Sequence, residues 1–157
     1  MKLYQPFSVF IFIHLFVNQV KAQETILTGN LPANFISREW AHQWLKNTDE
    51  YVIDAAISDS LRKSNLKDVS IEIFLGTWCE DSEKLVPQFI QLNKTMLIPV
   101  VFIGVDKDKN CPLQDCSGWN IQYVPTFVIK RKNVEIGRIV EQVSKNIETD
   151  LLHIIGK

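Results

Sequence analysis

The chain has 157 residues, 46% hydrophobic and 22% charged, with a formal net charge of −1. That length suits one domain with a buried core. The near-neutral balance, with no basic patch, argues against a nucleic-acid partner. Three cysteines, Cys79, Cys111 and Cys116, allow one disulfide and leave one thiol over.

Residues 1–22 have the pattern of a secretory signal peptide. Lys2 gives a positive start, residues 7–17 form an apolar run, and Val20-Lys21-Ala22 precedes a cleavage point. The run is well short of the ~20 residues that cross a bilayer. The expectation is an exported protein, periplasmic or extracellular, with no stable membrane span after cleavage. Such a compartment permits a disulfide. Residues 23–35 read as an irregular leader, broken by Gly29 and Pro32. Ser37 is the expected N-cap of a helix with Trp40, Trp44 and Leu45 on one face. Asp49 is the expected cap of a second, with Val52, Ile53, Ala56, Ile57 and Leu61 as its apolar stripe. Residues 23–66 thus form a leader and helical N-terminal extension that covers one face of a sheet. His42 reads as a surface or boundary residue with no ligand cluster around it.

Residues 69–88 hold the chemistry. Ile71, Ile73 and Leu75 alternate with Glu72 and Phe74, a strand pattern that Gly76 ends. Glu80, Asp81, Ser82 and Glu83 suit a helix first turn. Leu85, Val86, Phe89, Ile90 and Leu92 follow at helical spacing. Cys79 therefore lies at a helix N-terminus, where unpaired backbone N–H groups favour an anion. The anionic thiolate is the nucleophilic form of cysteine.

Further on, residues 98–105 read as a central strand buried on both faces. Residues 106–110 lack the Gly and distal Glu of a calcium loop and read as a solvated turn. Residues 111–120 are a connector with one helical turn from Pro112. Strands over 126–129 and 134–140 flank a hairpin at 130–133, whose basic cluster reads as a solvated tip. Residues 144–155 form a final amphipathic helix. Asn93-Lys94-Thr95 is a glycosylation sequon, relevant in a eukaryotic host.

Strand, Gly-Thr-Trp-Cys, two residues and a helix resembles the active-site corner of the thioredoxin-like superfamily. Trp78-Cys79 matches the opening of that family's WCxxC motif, with Ser82 in place of the second Cys. Pro87 lies where thioredoxins carry a helix-kinking proline. Tyr123-Val124-Pro125-Thr126-Phe127 resembles the family's cis-proline segment. The likeness covers about residues 69–155, within a thioredoxin-like domain expected over 67–157. It is nearest to exported bacterial members with Trp-Cys-x-Asp-Ser at this point. It implies an α/β thioredoxin-like fold: a central mixed β-sheet, helices on both faces, and the helical extension at the N-terminus.

The resemblance implies thiol–disulfide exchange by a single nucleophile, Cys79, on exported proteins or on small thiols and disulfides. Ser82 cannot close a disulfide but can donate a hydrogen bond to the Cys79 sulfur. Trp78, Val124 and Pro125 form the expected substrate platform, with Trp119 and Tyr123 as further rim residues. Glu80, Asp81 and Glu83 put negative charge near the sulfur and oppose the thiolate. The family's buried acid aligns with Ile73, and Asp81 replaces a common proline. Cys111 and Cys116 stay open: a short-loop disulfide, a resolving partner for Cys79, or unpaired thiols. Three cysteines without a nearby His give no recognisable zinc spacing. No metal or cofactor is expected, and the chain is expected to be a monomer. The second reading is a non-catalytic binding module on the same fold. Peroxide reduction ranks below both, for want of a Thr and Arg around the cysteine.

Overall fold

The computed structural model describes residues 25–112 and 116–157; the expected signal peptide lies outside them. Five strands, β1 (Gly29–Leu31), β2 (Val69–Leu75), β3 (Val100–Gly104), β4 (Thr126–Arg131) and β5 (Val134–Val140), form one sheet in the order β1-β3-β2-β4-β5. The β2–β3 pair is parallel and the other three are antiparallel, so the sheet is mixed. Four α-helices are described: α1 (His42–Glu50), α2 (Ala55–Lys63), α3 (Glu80–Met96) and α4 (Ile147–Ile155). A parallel pair needs a long crossover, and α3 is that crossover between β2 and β3.

The strand alternation divides the core. Ile71, Ile73 and Leu75 of β2, with Phe102, Phe127 and Ile129, face one large cluster. Buried side chains from all four α-helices join it: Trp44, Leu61, Phe89 and Ile147 are each at most 1% exposed. Each such side chain contributes roughly 1.5–3 kcal/mol by leaving water. The intervening residues Phe74, Ile103 and Val128 face a smaller cluster with Val105, Cys111, Cys116 and Val124. Among the described residues, the residue 105–125 connector covers that second face, and its one helical turn is the 3-10 turn Ser117–Trp119 rather than a turn from Pro112.

Other boundaries differ for local reasons. The expected irregular leader contributes β1, because Gly29 to Leu31 pair with Gly104 to Phe102 on the sheet edge. A Cβ on Gly104 would meet the Leu27 carbonyl oxygen at 2.2 Å, so this approach requires glycine. Ser37 ends one 3-10 turn (Phe35–Ser37), a second covers Glu39–Ala41, and α1 begins only at His42. Asp49 lies inside α1. The cap of α2 is Asp54, whose Oδ1 accepts from the Ile57 N–H at 3.2 Å, and Val52 is 87% exposed. β3 is one strand off centre: Phe102 and Ile103 are buried on opposite faces as expected, whereas Val101 near its start is 45% exposed. The hairpin tip narrows to Lys132 and Asn133, both at positive φ, as a two-residue turn of this twist requires. Lys130 is not at a solvated tip. It sits on β4, paired with Glu72 and 4.2 Å over the Trp119 ring.

Two polar contacts brace the helices. Glu148, fully buried, accepts from the Tyr51 hydroxyl at 2.6 Å and the Asp54 N–H at 3.0 Å, tying α4 to the α1–α2 link. Burial, with that carboxylate, pushes the Tyr51 phenol well above its ordinary pKa. The Asn93 amide is also committed: it accepts from the Ile98 N–H and donates to the Ile98 carbonyl, each at 2.9 Å. That bracing of the turn after α3 occupies the sequon asparagine.

Pro87 inside α3 leaves the Glu83 carbonyl without its helical N–H partner. Asn47 of α1 fills the gap, its Nδ2 donating to that carbonyl at 2.9 Å. Asn47→Ala is expected to cost about 1 kcal/mol in denaturant unfolding, the usual net worth of such a bond. The loss should shrink in a Pro87→Ala background, where the alanine N–H re-pairs the carbonyl. Equal losses in both backgrounds would show that Asn47 acts elsewhere.

Candidate functional site

The site is built where β2 ends and α3 begins. The Cys79 N–H donates to the Gly76 carbonyl at 3.0 Å, closing a tight turn. Cys79 is the N-cap residue of α3, and its carbonyl accepts from the Glu83 N–H at 2.9 Å. A Cβ on Gly76 would lie 2.6 Å from the Trp78 ring, so glycine lets the indole fold back over the turn. The Trp78 Nε1 then donates to the Val105 carbonyl at 3.0 Å, and Lys109 lies 5.8 Å from the ring centre.

The antiparallel register brings the far segment to this corner. Phe74 opposes Thr126, which places Val124 and Pro125 beside Cys79. The Val124–Pro125 bond is cis. The half-buried Cys79 thiol donates to the Val124 carbonyl at 3.2 Å. Thr126 Oγ1 donates to the Tyr123 carbonyl at 2.7 Å and fixes the turn. The Val124 side chain is 3% exposed, so it is the backbone of this residue that meets the sulfur. Tyr123 is 53% exposed at the rim, whereas Trp119 packs inward on Phe74.

Ser82 differs from the expectation of a donor to the sulfur. Its hydroxyl is fully buried and accepts from the Gly76 N–H at 3.2 Å. One helical turn into α3, the side chain points back under the loop and braces it. Cys79 is a free thiol, and Cys111 and Cys116 are joined as a disulfide with Cα atoms 5.9 Å apart. Both joined cysteines belong to the small core against which Cys79 and Trp78 pack. Glu72 points to that same second face, away from Ile73. Its Oε1 pairs with Lys130, while Oε2 is buried without a partner among the described residues.

Thr77 was missed by the sequence reading. Its hydroxyl donates to the Thr25 carbonyl at 2.5 Å and accepts from the Leu27 N–H at 3.1 Å. It ties the segment leading into β1 to the cysteine loop. The only sequence signal was a hydroxyl residue within Gly-Thr-Trp-Cys.

The thioredoxin family model matches residues 51–153, more than half of the chain. The chain belongs to the thioredoxin family. Among curated thioredoxins it is 30% identical over 79 residues to a thioredoxin H-type of Brassica campestris, covering 50% of this chain and 62% of that one. It is 31% identical over 91 residues to thioredoxin H2-1 of Oryza sativa subsp. japonica, covering 55% and 63%. The match thus spans less than two thirds of either relative. A solved mutant thioredoxin from Halobacterium salinarum NRC-1 is 23% identical, with a TM-score of 0.45 over 57% of this chain and 76% of that one.

On this thioredoxin corner, burial raises the Glu83 carboxyl above its usual range, with Glu80 adding to the shift. A carboxyl raised by folding stabilises the fold only while protonated, so its contribution falls as pH rises through the raised value. Glu83→Gln is therefore expected to raise the melting temperature at pH 7 and to leave it unchanged near pH 3. Thermal unfolding at both values checks this; a gain of equal size at pH 3 would point to a cause other than charge.

Proposed function

We propose that the chain performs thiol–disulfide exchange through Cys79 as its single attacking group. The supporting observation is the half-buried Cys79 thiol at the α3 N-terminus, 3.2 Å from the Val124 carbonyl and beside cis-Pro125. The Cys79 thiolate attacks one sulfur of a client disulfide. A mixed Cys79–client disulfide forms and one client thiolate leaves. Trp78 and the Val124–Pro125 backbone flank the incoming chain, and the exposed Tyr123 extends that platform. Ser82 is a positioning residue here: it holds the Gly76 turn and cannot close a disulfide. The signal-like residues 1–22 and the Trp-Cys-x-Asp-Ser sequence support placing this exchange outside the cytoplasm, in an exported protein of bacterial type. Clients are then exported proteins or small disulfides.

The test mixes the full chain with oxidised glutathione and locates the adduct by mass. A glutathione adduct on Cys79, lost in Cys79→Ser, is the expected result. No adduct, with alkylation of Cys79 no faster than that of a free model thiol, would favour a binding module that uses the same groove without turnover. Glu80→Gln with Asp81→Asn should speed alkylation of Cys79 at pH 7 by roughly two- to fivefold, the rate equivalent of ~0.3–1 kcal/mol at a helix end. An unchanged rate would remove these acids from the account of the site.

A further inference from the structure

The connector over residues 105–125 meets the active corner at both ends. Its first residue is held by the active corner, since the Val105 carbonyl accepts from Trp78 Nε1. Near its end, the Val124 carbonyl accepts from the Cys79 thiol. Between them lies the Cys111–Cys116 disulfide, whose cysteines are 7% and 8% exposed and pack in the one small core that Cys79 also touches. A disulfide placed only for stability needs no such neighbour.

From this we infer that Cys111 and Cys116 are a second redox centre, the resolving pair for Cys79. The inference rests on Cys79 acting as the exchange nucleophile. Ser82 cannot release a client held on Cys79, and the buried pair is poorly placed to meet a client directly. Each defect is met by the other group. In the reducing direction Cys79 attacks a client disulfide, and the first client thiolate leaves. A thiolate of the reduced pair then attacks the Cys79 sulfur. The second client thiolate leaves, and an internal disulfide to Cys79 forms. The remaining thiolate of the pair attacks its partner and frees Cys79. The client gains two electrons and the pair loses two, ending as Cys111–Cys116 beside a free Cys79, which is the state of the structure. An external dithiol re-arms the pair by the same route in reverse.

The test uses the full chain, reduced with dithiothreitol, desalted, mixed with oxidised glutathione and quenched with acid over time. Intact mass and peptide mapping locate every bond. In the unsubstituted protein the Cys79–glutathione adduct should be transient, ending in a Cys111–Cys116 disulfide and a free Cys79. In Cys79→Ser the pair should oxidise more slowly. At least one of Cys111→Ser and Cys116→Ser should accumulate a disulfide between Cys79 and the remaining cysteine. A persistent adduct on Cys79 with the pair left reduced would overturn the proposal and leave the single-nucleophile reading standing. Oxidation of the pair at an equal rate in Cys79→Ser would overturn it too. Absence of any adduct on Cys79 in every variant would instead remove the exchange reading on which it rests. Where a variant fails to fold, the unsubstituted time course still tests the proposal, because a lasting Cys79 adduct beside a reduced pair overturns it.

Discussion

The antiparallel register of β2 on β4 is the constraint from which the site follows. Ile73 opposes Phe127 and Phe74 opposes Thr126. Side chains alternate along a strand, so a slip of one residue would turn every core side chain to the wrong face. The register is therefore locked by two cores at once: Ile71, Ile73, Phe127 and Ile129 on one side, Phe74 and Val128 on the other. Once it is locked, the chain leaving β2 and the chain entering β4 must meet at one corner. The contact between the Cys79 sulfur and the Val124 carbonyl is that meeting. Chemistry at a cysteine needs a neighbour held in place, and here the placement comes from strand packing 45 residues away in sequence.

The two faces are unequal, and the inequality bears on function. The helical face is a deep core closed by α1 to α4. The second face has a connector with one short 3-10 turn and a disulfide among its described residues. A connector without regular helix cannot satisfy or stiffen itself by its own backbone ladder. It is instead pinned at its first residue by Trp78, near its end by the Cys79 thiol and at its middle by the disulfide, with Arg138 Nη1 donating to the Trp119 carbonyl at 3.2 Å. Lys130 over Trp119, and paired with Glu72, closes the far side of that face. The redox-capable groups of the chain all lie on this thinner side.

What the sequence disclosed, and what it hid, divides by range. The β2–α3 corner was legible because its signals are local: period-two apolar residues, a glycine, acids in a first turn. The Pro125 segment was legible only through resemblance, since nothing local says that Val124 will face Cys79. β1 was hidden because three residues, one a glycine, carry no pattern, and pairing with β3 alone makes them a strand. Its trace in the sequence was Gly104 within an apolar run, a mark of close backbone approach. The cap of α2 was misplaced by five residues because Asp49 and Asp54 are locally equivalent; only packing decides which begins the helix. Lys130 read as part of a basic tip because its acidic partner lies 58 residues earlier in sequence. Asn47 carried no signal at all, since its purpose is set by Pro87 on another helix.

Ser82 shows why a motif position does not fix a role. By spacing it stands where a second cysteine would stand, which suggests a partner for Cys79. By geometry it is fully buried and serves the Gly76 N–H. A hydroxyl oxygen is a good acceptor for that N–H, and a sulfur would be a weak one. The position is thus committed to holding the turn that aims Cys79. Restoring the motif there would exchange a bracing contact for a thiol, rather than add a thiol to an unchanged site. On the proposed exchange, release of a client falls either to an outside thiol or to a second sulfur of this chain. The buried Cys111–Cys116 pair belongs to the small core against which Cys79 packs, and the proposed release draws its second sulfur from there.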